Sequence, residues 1–372
     1  MIETHDPSVS SGLAPAIRVT IGIKALNEEA HIAAALESAL AAVARVGGEV
    51  ILADSGSSDR TIEIAQRYPV RIVQLANHNE RSCGAGGQLA YQFARGEYFY
   101  LLDGDMVLSP DFLPAGLAYL DAHPEAAAVG GLVNEANMQG EEFQIRGAKV
   151  ASDRNWRPGV VDRLDCGGLY RMSALREVNY FTDRNLHAFE EFELAARLRS
   201  RGWTLARIDE LAVDHYGHAM GGYRLLLRRM TSGYSGAPGE VLRSAIGRRQ
   251  LGIVIGRLSH VRNGLVIIAW WLALVVALFR GHWAFAAAMV TVPVLFLSAR
   301  RGSLHLGLYS FTAWNVSALG LITGFFRRRV AASAPLAAVD LTRPEPVQAV
   351  PNPSERPDHD PDQDILRHAQ GM

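Results

Sequence analysis

Between Arg18 and Leu102, short β-rich runs alternate with helical stretches, and three of those runs close in an acidic turn. That alternation limits the fold more than any other feature of the chain. Arg18 to Ala25 (RVTIGIKA), Glu49 to Ala53 (EVILA), Val70 to Leu75 and Glu97 to Leu102 (EYFYLL) carry the apolar, β-branched and aromatic content of strands. His31 to Val43, Thr61 to Tyr68 and Gly86 to Ala94 have helical spacing between them. Strands separated by helices require crossover connections, so the expected fold is α/β with a mainly parallel, Rossmann-like sheet. Ligands of such sheets sit at the carboxyl ends of the strands. The polar clusters that follow each run are thereby placed in one crevice.

Asp103-Gly104-Asp105 follows the strand Tyr98 to Leu102 directly. Carboxylates two residues apart at a strand end point to the same side, and Gly104 lets the backbone approach a ligand closely. The pair suits a hard divalent cation shared with substrate phosphates, although ordinary turn chemistry also favours Asp-Gly-Asp. The loop Asp54-Ser55-Gly56-Ser57-Ser58-Asp59 closes the second run. Asp54 can accept hydrogen bonds from a base or ribose, and the backbone amides of the Gly/Ser turn suit anionic groups. Asp59 is placed to cap the helix starting near Thr61. In Ala25-Leu26-Asn27-Glu28-Glu29, Asn27 can cap the next helix and the glutamates favour its first turn.

Together these motifs resemble the GT-A fold of glycosyltransferase family 2: the N-E-E turn, then DSGSSDRT, then GEYFYLLDGDM. Phe189-Glu190-Glu191-Phe192-Glu193-Leu194-Ala195-Ala196-Arg197-Leu198, with Arg201-Gly202-Trp203 behind it, is similar to the family's E-D-x-E-L-x-x-R-L block. The resemblance covers residues 17–240. It implies that Ala25, Leu26 and Glu28 line a nucleoside pocket, that Asp54 contacts the base, and that Arg81 lies near the nucleotide. It implies Asp103 near ribose and metal, Asp105 as the principal metal ligand, and His215 completing the metal site with Mg or Mn; His218 is a second candidate. Glu191 occupies the position of the base that deprotonates the acceptor hydroxyl in inverting members. Either Glu190 or Glu191 could serve, and the alignment favours Glu191. Glu191 stands where Asp is usual, and Gln88 replaces an Asn common in the preceding helix. Cys166-Gly167-Gly168 resembles the family's acceptor-side glycine turn, with Cys166 read as a buried small residue.

The charge and hydropathy patterns complete the expectation. A net charge of −1 over 372 residues argues against nucleic-acid binding by phosphate neutralisation. Cys83 and Cys166 are the only cysteines, which suggests a reducing compartment without a disulfide framework. With no signal-peptide pattern at the N-terminus, the catalytic domain is expected to face the cytoplasm from the inner membrane. Leu265 to Phe279, Trp283 to Ala299 and Leu304 to Phe326 are apolar, against about 20 residues for a helical span. Arg300-Arg301 and Arg327-Arg328-Arg329 both favour the cytoplasmic side, which three crossings in series cannot satisfy. Tyr223 to Met230 reads as a basic amphipathic helix on a membrane surface or at a lipid-linked diphosphate.

The expected organisation is a disordered leader (1–16), a catalytic domain (17–240), a basic interfacial linker (241–262), a membrane region of two or three transmembrane helices (263–328) and a disordered tail (329–372). The expected partners are a nucleotide-sugar donor, the membrane, a membrane-associated or lipid-linked acceptor and a polysaccharide-assembly complex. Transfer to a polyprenyl phosphate is a close rival. A catalytically weakened scaffold is another, against which the carboxylates at 54, 103, 105 and 191 argue. A small transporter is disfavoured because the spans are few and hold no ionisable pair.

Overall fold

The computed structural model describes residues 17–136, 153–216 and 222–342. The chain opens with β1 (Val19–Ala25), α1 (Ile32–Val46), β2 (Gly48–Asp54), α2 (Thr61–Ala65), β3 (Arg71–Leu75), α3 (Cys83–Gln92) and β4 (Tyr98–Asp103). Next come β5 (Met106–Leu108), α4 (Phe112–Ala122), β6 (Ala126–Glu135), β7 (Gly159–Val161), β8 (Gly168–Arg171) and α5 (Met172–Glu177). Then come α6 (Glu190–Arg199) and β9 (Thr204–His215). Helices α7 (Gly222–Thr231), α8 (Ala237–Ala245), α9 (Leu251–Arg257), α10 (Ser259–Phe279), α11 (Trp283–Arg301) and α12 (Leu304–Phe326) follow, and then β10 (Ala338–Asp340).

One sheet runs β10-β3-β2-β1-β4-β8-β6-β9-β5, with β7 also on β9. Its β3-β2-β1-β4 half is parallel, as the alternation requires. Past β4 the pairing is mixed: β8 is antiparallel to both β4 and β6, while β6 and β9 are parallel. Strand alternation feeds two cores. Tyr98, Tyr100 and Leu102 face the α1 and α4 side, while Phe99 and Leu101 face α3, α5 and α6. Helix α1 buries Ile32, Ala35, Leu36, Ala39 and Val43 at helical spacing. Fully burying a side chain such as Phe99 contributes about 1.5–3 kcal/mol.

The region expected to be a linker is packed. Val241 and Ala245 of α8 and Val254 of α9 are buried with Phe192 of α6 and Leu321 of α12. Apolar burial along one helix face, not the basic charge, decides their place. Residues 329–341 likewise depart from the expected tail. Arg329 pairs with Asp183, Leu336 is buried, and β10 extends the sheet antiparallel to β3. The remainder of that tail and the leader lie outside the described residues. Helices α10 and α11 are long and apolar enough to cross a membrane; α10 begins at Ser259 and reaches 21 residues.

Helix α12 meets α8 without side chains between the backbones. A Cβ at Gly324 would collide with the carbonyl oxygen of Gly236. Gly324→Ala is therefore expected to cost about 1–3 kcal/mol as overpacking does, read as a lower unfolding midpoint of the full chain. An unchanged midpoint would contradict this packing.

Candidate active site

The parallel ladder sets the crevice. Ala25 stands beside Asp54, and Lys24 beside Asp103, in the β1–β2 and β1–β4 registers. The two loops that follow β1 and β2 are then tied together. Asn27 adopts a left-handed backbone (φ 59°); its N–H donates to Ser57 Oγ and its Oδ1 accepts from Ser58 N–H, both at 2.8 Å. Asn27 thus bridges the loops, and it is His31 that precedes α1. Asp59 accepts from Thr61 N–H at 3.0 Å, but Arg60 is the residue that precedes α2, so Asp59 braces the turn ahead of the helix and is not its cap. Asp54 is fully buried. Its Oδ2 accepts from the N–H groups of Gly56 and Ser57 and from Gln74 Nε2, each at 2.8 Å. Asp54 therefore shapes the loop from beneath. Arg81 donates to the carbonyls of Ser55 and Gly56 at 2.7 and 2.8 Å, which brings it to the same loop. Ala25 is buried and Leu26 exposed at the mouth.

At the end of β4 the strand registers gather a second group. His215, the last residue of β9, lies opposite Met106 on one side and Glu135 on the other. Its Nδ1 is 2.9 Å from Glu135 Oε2, and its Nε2 is 3.5 Å from Asp105 Oδ2. Burial alone would lower the imidazole's pKa, but the hydrogen bonds to Asp105 and Glu135 outweigh it and push it up to about 9. Glu28 faces the same acids. Burial, then the charges of Asp105, Asp103 and Asp59, push it up to about 7. Among the described residues its Oε2 is buried without a hydrogen-bond partner. Crowded carboxylates, a histidine and an orphaned buried oxygen fit a divalent cation, which relieves their mutual repulsion. Ligand atoms of Glu135, Cys166 and His215 lie within 4.8 Å of one another. His215 can therefore serve an ion through Nε2 with Asp105, or through Nδ1 with Glu135 and Cys166. A thiol suits softer ions than Mg, so the oxygen-rich Asp105 side is the better match to a diphosphate site. His218 lies outside the described residues.

The third group stands at the start of α6. Phe189 precedes it in a left-handed conformation (φ 61°), which aims Glu190 and Glu191 back towards β1 and β8. Lys24 Nζ lies 2.9 Å from Glu190 Oε1 and 3.2 Å from Asp103 Oδ1, joining the end of β4 to α6 through a partly buried ion triad. Those two carboxylates, together with Glu191, hold the Lys24 ammonium well above its usual range, although burial opposes them. Among the described residues Glu191 forms no ion pair of its own, and it accepts from Gly167 N–H at 3.2 Å. Gly167 has φ 89°, and a Cβ there would sit 2.7 Å from the Leu101 carbonyl oxygen, so glycine is required. Burial, reinforced by Asp165, Glu190 and Asp103 and opposed by Lys24, pushes the Glu191 carboxyl up to about 8. Glu193 instead forms a buried ion pair with Arg197 at 2.9 Å. Gln88 Oε1 accepts from Phe181 N–H and Thr182 N–H at 2.9 and 3.2 Å, a structural clamp. Sequence reasoning missed Lys24 and Glu135; a charged residue inside an apolar strand was the available sign for Lys24.

Residues 20–178 match the family model described as Glycosyl transferase family 2. That match ends ahead of α6, so Glu191 and His215 lie outside it. The chain is similar to a Bacillus subtilis protein named as a glycosyltransferase, EpsE, at 28% identity over 198 residues, 51% of this chain and 68% of that one. It is 29% identical over 110 residues to the undecaprenyl-phosphate 4-deoxy-4-formamido-L-arabinose transferase of Pectobacterium carotovorum, 27% of this chain and 33% of that protein's length. Among solved structures, the mannosyltransferase PcManGT from Pyrobaculum calidifontis, in complex with GDP-Man and Mn2+, matches with a TM-score of 0.56 and 18% identity. The likeness covers 84% of this chain and 88% of that one.

Proposed function

We propose that this chain, a glycosyltransferase that belongs to family 2 through its residues 20–178 and has the GT-A fold, moves a sugar from a nucleotide-sugar to a lipid-linked or membrane-associated acceptor. One observation carries the reading: Lys24 ties Asp103, at the strand end beside Asp105, to Glu190, the neighbour of Glu191. Donor-side and acceptor-side groups thus share one crevice. In this reading Ala25, Leu26, Glu28 and Arg81 surround the nucleoside, and Asp54 keeps their loop in shape. Asp103, Asp105 and His215 hold a divalent cation, Mg or Mn, and Glu135 fixes the His215 ring through Nδ1. Such an ion, when bound, neutralises charge on the departing diphosphate.

Glu191 takes the proton of the acceptor hydroxyl as that oxygen bonds to the sugar's anomeric carbon. The bond from that carbon to the diphosphate breaks, and the nucleoside diphosphate leaves with the electron pair. Attack opposite the leaving group inverts the anomeric centre. Glu190 is already bound to Lys24, which favours Glu191 as the base. Helices α10 and α11 support a membrane setting, with the catalytic domain at the cytoplasmic face of the inner membrane and exopolysaccharide or glycolipid assembly as the process. Similarity to a transferase named for undecaprenyl phosphate supports a polyprenyl-phosphate acceptor as the second reading.

The test uses the full chain in native membranes with radiolabelled UDP-, GDP- and dTDP-sugars. Label from one donor is expected in the lipid extract, abolished by EDTA and restored by Mn. Transfer unaffected by EDTA would remove the cation from the account, and no transfer from any donor would count against the reading as a whole.

A further inference from the structure

The two basic clusters beyond Ala299 favour the same side of a membrane, yet three crossings in series would separate them. The contacts of α12 resolve the conflict. Near its start, His305 and Tyr309 pack edge-on against Tyr223 of α7, with ring centroids 6.0 and 5.1 Å apart. Near its end, Gly320 and Gly324 abut Ser235 and Gly236. Beyond that end, Arg327 and Arg329 pair with Glu240 and Asp183. Helix α12 is therefore fastened to the catalytic unit at both ends, with α7 alongside it.

Helix α7 carries Arg224, Arg228 and Arg229, all exposed. Were α12 to cross a bilayer, those arginines would be drawn into hydrocarbon with it, where a charge is costly. Helix α12 nevertheless exposes Leu304, Leu308, Leu319 and Phe326. An apolar face rimmed by arginines matches the boundary between acyl chains and anionic headgroups. Ser298 of α11 abuts Gly307 of α12, which brings the end of α11, and Arg300 and Arg301 with it, to the same level.

We propose that α12 does not cross the membrane but lies in the plane of the leaflet beside α7, with both basic clusters on the catalytic side. This rests on the membrane setting proposed above and specifies its geometry. It also explains why the chain beyond α12 is free to return to the sheet edge as β10.

The test is labelling of full-length single-cysteine variants in sealed membrane vesicles with a membrane-impermeant maleimide, read by peptide mass. Arg67→Cys marks the side of the catalytic domain. Ser303→Cys and Ser333→Cys are expected to label from that same side, and Leu319→Cys to resist labelling from either. Labelling of Ser303→Cys and Ser333→Cys from opposite sides would mean that α12 crosses, and free labelling of Leu319→Cys would mean that no lipid covers it. Either result overturns the proposal. Recovery of the chain outside the membrane fraction would instead remove the membrane setting itself.

Discussion

Glu191→Gln is expected to lower turnover about 100- to 10,000-fold, the range that a positioned general base contributes, while nucleotide binding persists. The amide can still accept from Gly167 N–H, the bond that Glu191 makes at 3.2 Å, so the local structure is kept and only the proton acceptor is lost. The pH profile supplies an independent reading. Burial and the surrounding acids push Glu191 up to about 8. A carboxyl raised in this way is protonated on its acid side and cannot take the acceptor's proton there. Wild-type rate is therefore expected to climb as pH rises towards 8 and then level off, and the residual rate of the variant to lack that limb. A variant with undiminished turnover would move the role of base elsewhere.

The second large effect is on stability. Arg197 and Glu193 are 5% and 0% exposed and pair at 2.9 Å. Arg197 also donates to the carbonyls of Val178, Tyr180 and Phe181, at 3.2, 2.8 and 2.6 Å, and lies over the Tyr180 ring. Arg197→Met leaves a buried carboxylate and three carbonyls without their donor. Removing one member of a buried pair costs about 3–5 kcal/mol, and α6, which carries Glu191, is the element that loosens. The full chain is expected to unfold at a markedly lower temperature. Adding Glu193→Leu is expected to recover part of the loss, because the uncompensated charge goes with it. A midpoint close to wild type for Arg197→Met would show that this pair does not hold α6 in place.

How much of this was legible in the sequence depends on the range of the interaction. Strands β1 to β4 were readable because their β-branched and aromatic runs are bounded by turn residues. Strand β6, Ala-Ala-Ala-Val-Gly-Gly-Leu-Val-Asn-Glu, has weak local propensity and forms because β8 and β9 flank it. Strand β10 has 3 residues and exists only as an addition to β3. Among the candidate site residues, Asp103, Asp105 and Glu191 were picked out by motif order. Their placement was another matter. Lys24 meets Asp103 across a ladder and Glu190 across 166 positions of sequence, and Glu135 meets His215 across 80. No local pattern encodes such pairs. The alignment already favoured Glu191 over Glu190, and the pair of Lys24 with Glu190 supports the same choice; Asp54 is joined by Gln74, a partner from the next strand.

The central claim is a cation-dependent nucleotide site built on Asp105. Calorimetric titration of the detergent-purified full chain with UDP, GDP and dTDP, with and without Mn, tests it most directly when Asp105→Ala is run beside the wild type. One nucleotide is expected to bind the wild type in the presence of Mn and to lose that binding in the variant. Binding that is indifferent to both Mn and the substitution, or no binding of any nucleotide by the wild type, would contradict the account.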